Sequence, residues 1–85
     1  MEFIEVAKII NVHGIKGTVK IYSLTSNTDR FNAGCIFYID KKIPVTIKSV
    51  RELSSDLALL AFNEYDNINQ VLEFKNKGLF IEESN

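Results

Sequence analysis

The chain has 85 residues, 46% of them hydrophobic and 25% charged, a composition typical of one small folded domain and not of a disordered or fibrous chain. Its formal net charge of −1 argues against a protein that coats nucleic acid through its overall field. No apolar run approaches the roughly 18 residues that cross a bilayer, and the first residues form no basic leader, so we expect a cytoplasmic protein without a membrane partner.

The first two predicted elements are β-type segments at residues 3–12 and 18–24. In the second segment, Val19 and Ile21 alternate with polar residues, which is the period-2 pattern of a half-buried strand. The pattern therefore predicts that Lys20 faces outward.

A short turn joins these two strands and contains two glycines, the only histidine and a lysine. Gly14 and Gly17 can adopt positive φ without a Cβ clash, so the backbone can reverse tightly between the strands. We predict a hairpin whose tip displays His13 and Lys16 to solvent.

Residues 23–34 are rich in turn-forming residues and predict a long loop with one helical turn at 28–31. Three further strands are predicted at 35–39, 45–53 and 57–62, and a change of apolar phase near residues 49–51 predicts a bulge. The connection between the first two of these strands carries two adjacent lysines, Lys41 and Lys42, which we interpret as a solvated hairpin tip.

One helix is predicted at 66–75, because apolar residues recur there at helical spacing and Asp66 or Asn67 can serve as N-cap. A sixth strand follows at 79–81. This order predicts an all-β domain with one helix longer than two turns: a six-stranded antiparallel β-barrel with the helix plugging its open end. The residues expected in its core are Val19, Ile21, Ile47, Leu59, Val71 and Leu72.

The predicted strands 35–39 and 57–62 are apolar on both alternating faces. A lone barrel buries one face of each strand, so the other must be covered by the helix and loop or by a partner.

The charges are also distributed unevenly. Residues 8–51 carry eight lysines and arginines but two aspartates, whereas residues 52–85 carry seven acidic residues and two lysines. If the fold keeps these segments apart, the domain has one basic and one acidic face.

The sequence contains few candidate catalytic residues. The single cysteine, Cys35, excludes an intrachain disulfide, and its predicted strand is apolar; His13 is the one histidine that could serve it as a base. Zinc sites usually need three or four His, Cys or carboxylate ligands. We therefore expect a non-catalytic protein with no metal and no cofactor, with a cysteine-dependent enzyme as the alternative that thiol reactivity would reveal.

The turn and its neighbours carry a family resemblance. The segment His13-Gly14-Ile15-Lys16-Gly17, followed by Val19-Lys20-Ile21, resembles the opening motif of the ribosome maturation factor family called RimM. The resemblance continues through Leu24-Thr25, Arg30-Phe31, Gly34, residues 66–69 and residues 78–81, and so covers nearly the whole chain. It implies a barrel like those of translation proteins and a second, C-terminal barrel domain that residues 1–85 do not include.

The resemblance also implies a function: binding the immature small ribosomal subunit at its head, through a ribosomal protein and the nearby rRNA, and aiding 16S rRNA processing as a monomeric assembly chaperone. The expected partner-binding residues are His13, Gly14, Lys16, Gly17, Lys20, Arg30 and Phe31. Burial of Phe31 in the core is an equal alternative for that residue. A generic RNA-binding or translation-factor barrel without a ribosomal-protein partner is the alternative function.

Overall fold

The alternating apolar residues form six strands in the described part of this computed structural model, residues 2–25 and 31–83. All neighbouring strands are antiparallel, and they close into a barrel in the order β1-β2-β5-β4-β3-β6. The predicted barrel is thereby confirmed. The strands are β1 (Glu2–His13), β2 (Thr18–Ser23), β3 (Ile36–Ile39), β4 (Ile43–Glu52), β5 (Leu57–Phe62) and β6 (Gly78–Glu83).

The inner face of the barrel is filled by aliphatic and aromatic side chains. Five of the six side chains predicted for the core are buried, namely Val19, Ile21, Ile47, Leu59 and Val71, but Leu59 lies on the outer face of the barrel and is not part of the interior cluster. The largest buried side chains also include Phe31, Phe37, Phe62 and Leu60. Phe31 stacks on Phe37 with 5.1 Å between ring centroids, so the loop before β3 contributes to the same core. The helical turn predicted at 28–31 falls mostly on residues 26–30, which lie outside the described residues.

The predicted ten-residue helix is wrong in length. The structure has a four-residue α-helix, α1 (Ile68–Val71), followed by a 3-10 helix (Leu72–Phe74). A 3-10 helix has about three residues per turn, so the side chains that share a face recur every third residue. Val71 and Phe74 are accordingly buried, whereas Leu72, which we predicted in the core, is 51% exposed.

The start of α1 matches the sequence pattern. Asn67 is the N-cap, and its side chain accepts a hydrogen bond from the backbone N–H of Asn69 at 2.9 Å. The Gln70 side chain accepts in return from the backbone N–H groups of Asp66 and Asn67. This capping box satisfies backbone donors that would otherwise be left open at the helix start.

The bulge in β4 lies between Ile47 and Ser49, just before the place that the sequence pattern indicates.

Glu64 continues the hydrogen bonding between β4 and the end of β5: its carboxylate accepts a hydrogen bond from the Thr46 backbone N–H at 2.8 Å. Desolvation alone would raise the pKa of Glu64, but the hydrogen bonds from Thr46 and from its own backbone N–H outweigh it. The pKa of this carboxyl therefore lies below its ordinary value of 4.5.

We expect the ionised Glu64 to make a small, pH-dependent contribution to stability. A carboxyl whose pKa is lowered by folding stabilises the native state above its unfolded pKa, and that contribution is lost as the pH falls through the lowered value. The Glu64→Gln variant keeps the acceptor oxygen but not the charge, so its melting temperature should lie at most a few degrees below that of the native chain at pH 7. The melting temperatures of the variant and the native chain should converge as the pH falls from 7 to 3. A difference in melting temperature that stays constant over this range would contradict the role of the ionised carboxylate.

Candidate functional site

The turn between β1 and β2 has the geometry that its glycines indicate. Gly14 has φ of +71° and Gly17 has φ of +83°, both in the left-handed region. His13, Ile15 and Lys16 are exposed, and Ile15 is the most exposed large hydrophobic residue described, at 78%. The turn therefore presents one apolar and two polar side chains to solvent.

The helix start supports this turn from below. The Ile15 carbonyl accepts a hydrogen bond from the Ile68 backbone N–H at 3.0 Å. A Cβ placed on Gly17 would lie 3.1 Å from both the N and the O of Asn67, which is the N-cap of α1. Nothing lies within 4 Å of a Cβ placed on Gly14. The two glycines thus serve different purposes: Gly14 permits the bend, and Gly17 also permits close packing on the helix.

The structure brings together most of the predicted site residues. His13, Gly14 and Lys16 are exposed on the turn, and Lys20 is half-buried on the adjoining strand β2. Gly17 is buried, so it can influence partner binding only through the backbone conformation of the turn. These residues all lie on the β1–β2 hairpin, and we refer to their exposed part as the surface at the β1–β2 turn.

Two predicted site residues remain. Arg30 lies outside the described residues. Phe31 is 2% exposed and stacks on Phe37, so of its two possible placements the structure shows the buried one. A ring that fills the core in this way supports its loop but cannot contact a partner, and this corrects the expectation that Phe31 binds one.

A groove lies beside the turn and contains residues that the sequence reasoning missed. Its volume is about 390 Å³, and it is lined by Lys16, Thr18, Lys48, Ser49, Ala61, Tyr65 and Asp66. Lys48 comes from β4 and Lys16 from the turn, and these segments meet because β5 lies between β2 and β4 in the barrel. The surplus of cations in residues 8–51 indicated a basic face, but it did not indicate which cations share one.

The predicted tip at Lys41 and Lys42 is solvated, as expected, since Asp40, Lys41 and Lys42 are all exposed. Asp40 and Lys41 both have positive φ, 56° and 64°, and the Lys42 N–H donates to the Ile39 carbonyl at 3.0 Å, which defines a type I′ hairpin turn. The Lys41 ammonium lies 5.4 Å from the centre of the Phe80 ring. This tip joins β3 and β4, neither of which pairs with β1 or β2.

The outer faces of the two doubly apolar strands differ. On β5, Leu59 faces outward yet is only 8% exposed, and the outward-facing Leu57 and Ala61 are half-buried, so the chain itself covers much of that strand. On β3, Ile36 is 57% exposed and borders a second groove of about 410 Å³, which Cys35, Tyr38 and Ile81 also line. The chain therefore leaves an outer apolar strip at β3.

The geometry does not pair the histidine with the cysteine. Cys35 lines the groove beside Ile81, which pairs with Ile4, whereas His13 lies at the far end of β1. At about 3.3 Å per residue, the separation along the strand is roughly 25 to 30 Å, far beyond the reach of a nucleophile and its base. Within residues 2–25 and 31–83, no three His, Cys, Asp or Glu side chains cluster as a metal site would require. No helix in those ranges is long and apolar enough to span a membrane.

The described residues form a small closed β-barrel domain that displays a basic hairpin. The family model of the RimM N-terminal domain matches residues 4–85. The chain is 44% identical over 84 residues to a ribosome maturation factor RimM from Finegoldia magna, covering 98% of this chain and 51% of that protein. It is 41% identical over 86 residues to a protein of the same name from Lacticaseibacillus casei, covering 98% of this chain and 49% of that protein. The chain belongs to the RimM family.

A solved structure agrees with the barrel. The crystal structure described as a 16S ribosomal RNA processing protein RimM from Pseudomonas aeruginosa superimposes with a TM-score of 0.79 over 95% of this chain and 51% of that one. At 21% identity, this likeness shows the fold. The chain spans about half the length of the curated relatives that it matches.

Proposed function

We propose that this domain belongs to a non-catalytic assembly factor that binds the immature small ribosomal subunit and aids maturation of its 16S rRNA. Membership of the RimM family supports this function, and the relatives' greater length supports a second domain after residue 85. Such a factor needs no chemistry, because binding one conformation of an RNA–protein particle better than its competitors shifts the population toward it.

The observation that carries the proposal is the basic turn and its support. Lys16 and Lys20 place two positive charges on this surface, and packing of the core does not require them. The close approach of Gly17 to Asn67 holds the turn against the start of the helix. A preorganised turn loses little conformational freedom on binding, which favours recognition of a defined partner. The exposed Ile15 adds an apolar contact suited to a ribosomal protein of the subunit head.

We expect the double variant Lys16→Glu, Lys20→Glu to bind immature small subunits at least tenfold more weakly, which corresponds to about 1.4 kcal/mol. Glutamates in place of the lysines would repel phosphates or carboxylates of the partner. Binding should therefore weaken, while the fold is retained. Co-sedimentation of the full-length protein with immature subunits measures the affinity, and thermal melting measures the fold.

The matched control is Lys41→Glu, Lys42→Glu, which makes the same charge change at the β3–β4 tip and should leave binding nearly unchanged. Exposed charge changes usually alter folding by under about 0.5 kcal/mol, so unfolding would not account for a tenfold loss. Equal binding by the Lys16, Lys20 variant and the native protein would remove the turn from the contact surface.

The alternative function, an RNA-binding barrel without a ribosomal-protein partner, differs in its salt dependence. Binding dominated by phosphates weakens steeply as ionic strength rises, whereas docking on a protein through an apolar contact such as Ile15 weakens little. Titration of immature subunits over a range of salt concentrations separates the two.

A further inference from the structure

Two cations flank an outward-facing leucine on the middle of the barrel wall. Leu59 of β5 pairs with Lys20 of β2 on one side and with Arg51 of β4 on the other. Neighbouring strands are about 4.8 Å apart, so the Cα atoms of Lys20 and Arg51 are separated by roughly 10 Å across β5. The outer face of β2, β5 and β4 therefore carries two positive charges from residues that are distant from each other in the sequence.

The burial of Leu59 indicates how these side chains lie. Leu59 points away from the barrel interior yet is 8% exposed, and Lys20 is half-buried. Long basic side chains can lay their aliphatic stems on apolar surface while the charged ends remain in water. The register therefore allows the stems of Lys20 and Arg51 to lie along Leu59 with their charged ends in water.

Two further cations continue the same face. Lys16 and Lys48 border the groove of about 390 Å³, whose lining also offers the hydroxyl groups of Thr18, Ser49 and Tyr65. Asp66 is the one carboxylate in that lining. Lys16, Lys48 and Arg51 are exposed and Lys20 is half-buried, so their charged ends can reach a ligand from solvent.

An aromatic side chain lies in the next row of this face. Tyr22 pairs with Leu57 one row beyond Lys20 and Leu59, and it is 42% exposed. Exposed glutamates occur on β1 and β6 at Glu5 and Glu82, and on β4 at its last residue, Glu52. Four cations with an exposed ring are the combination that binds unpaired nucleic acid, where cations contact the phosphates and aromatic rings stack on bases.

We propose that the outer face of β2, β5 and β4 binds an unpaired segment of rRNA, with Lys16, Lys20, Lys48 and Arg51 on its phosphates and Tyr22 stacked on a base. The proposal rests on the proposed function, because that function places rRNA beside the domain. It adds Lys48, Arg51 and Tyr22, which lie beyond the turn, to the contact surface. It also identifies the RNA itself as the partner of this face.

The test uses the full-length protein and two probes: a protein-free 16S rRNA transcript and immature small subunits. The double variant Lys48→Gln, Arg51→Gln should bind the transcript at least tenfold more weakly. The slope of log affinity against log salt concentration should become shallower by between about one and two. The reason is that a protein making fewer phosphate contacts releases fewer counterions when it binds. The matched control Lys41→Gln, Lys42→Gln should keep both the affinity and the slope of the native protein.

Substitution of the ring separates stacking from charge. Tyr22→Leu should weaken transcript binding by about fivefold or more with an unchanged salt slope, since a stacked base contributes about 1 kcal/mol or more. Melting curves of all variants should match that of the native protein, because the substituted side chains are exposed.

The outcomes distinguish this inference from the proposed function. Native affinity and slope in the Lys48, Arg51 variant would overturn the inference and leave the function in place. Binding of the native protein to immature subunits but not to the free transcript would assign this face to a protein partner and also overturn it. Absence of any binding to immature subunits by the native protein would instead overturn the proposed function.

Discussion

Replacing Leu60 by alanine should lower the free energy of unfolding by about 2 to 5 kcal/mol, the usual cost of deleting a buried leucine side chain. Leu60 is fully buried on the middle strand of the basic face, where it points into the barrel. The stability of small domains is typically about 5 to 15 kcal/mol, so this loss would consume a large part of it. In a chain of this length each kcal/mol shifts the melting temperature by roughly 4 to 8 °C.

Leu72→Ala is the matched control, because it deletes the same atoms from a leucine that is 51% exposed. We expect it to cost less than about 1 kcal/mol. Chemical denaturation of both variants measures the difference. Similar losses in the two variants would contradict the placement of Leu72 outside the core.

The second large effect is expected at Gly17. In Gly17→Ala the new Cβ is placed at positive φ, which costs roughly 1 to 2 kcal/mol, and it meets the Asn67 backbone at 3.1 Å. Overpacking of this kind typically adds about 1 to 3 kcal/mol, because the contacted atoms belong to backbone and not to a flexible side chain. The expected total is roughly 2 to 5 kcal/mol.

Gly14→Ala separates the two causes. Gly14 has a similar φ of +71°, but an added Cβ meets nothing within 4 Å, so this variant should lose only the conformational part, about 1 to 2 kcal/mol. Denaturant titrations of the two variants give the difference directly. If Gly14→Ala were as destabilising as Gly17→Ala, the contact between the turn and the helix start would have no energetic role.

The Gly17 variant also tests whether the turn acts as a preformed element. Moving Asn67 should weaken the hydrogen bond from the Ile68 N–H to the Ile15 carbonyl and loosen the turn. Binding to immature subunits should then fall by more than the fraction of unfolded protein explains, because a loosened turn must be ordered again on binding.

Much of the fold could be predicted from short-range patterns. The strand at Leu57–Phe62 has the predicted bounds, and Val19 and Ile21 are buried as their alternation indicates, because side chains on a strand alternate between two faces regardless of what surrounds it. The positive φ at Gly14 and Gly17 is likewise a local property, since glycine is the residue that reverses the chain there without a Cβ clash.

The errors arose where packing competes with local preference. The spacing of Ile68, Val71 and Leu72 fits an α-helix, but the chain tightens into a 3-10 helix at Leu72–Phe74, and Val71 and Phe74 are the side chains buried at the barrel end. Phe31 could not be placed from its polar loop, because its burial depends on the position of Phe37 across the core.

The sequence by itself therefore determined the strands, the basic hairpin and the family of this protein, since these follow from periodicity, backbone preference and motif. The tertiary structure alone decided which charges act together. Lys20 and Arg51 lie 31 positions apart in the chain, and they share a face because β5 pairs with both β2 and β4. Pairing of strands that are distant along the chain results from closure of the barrel around one core, and no local pattern of residues encodes it.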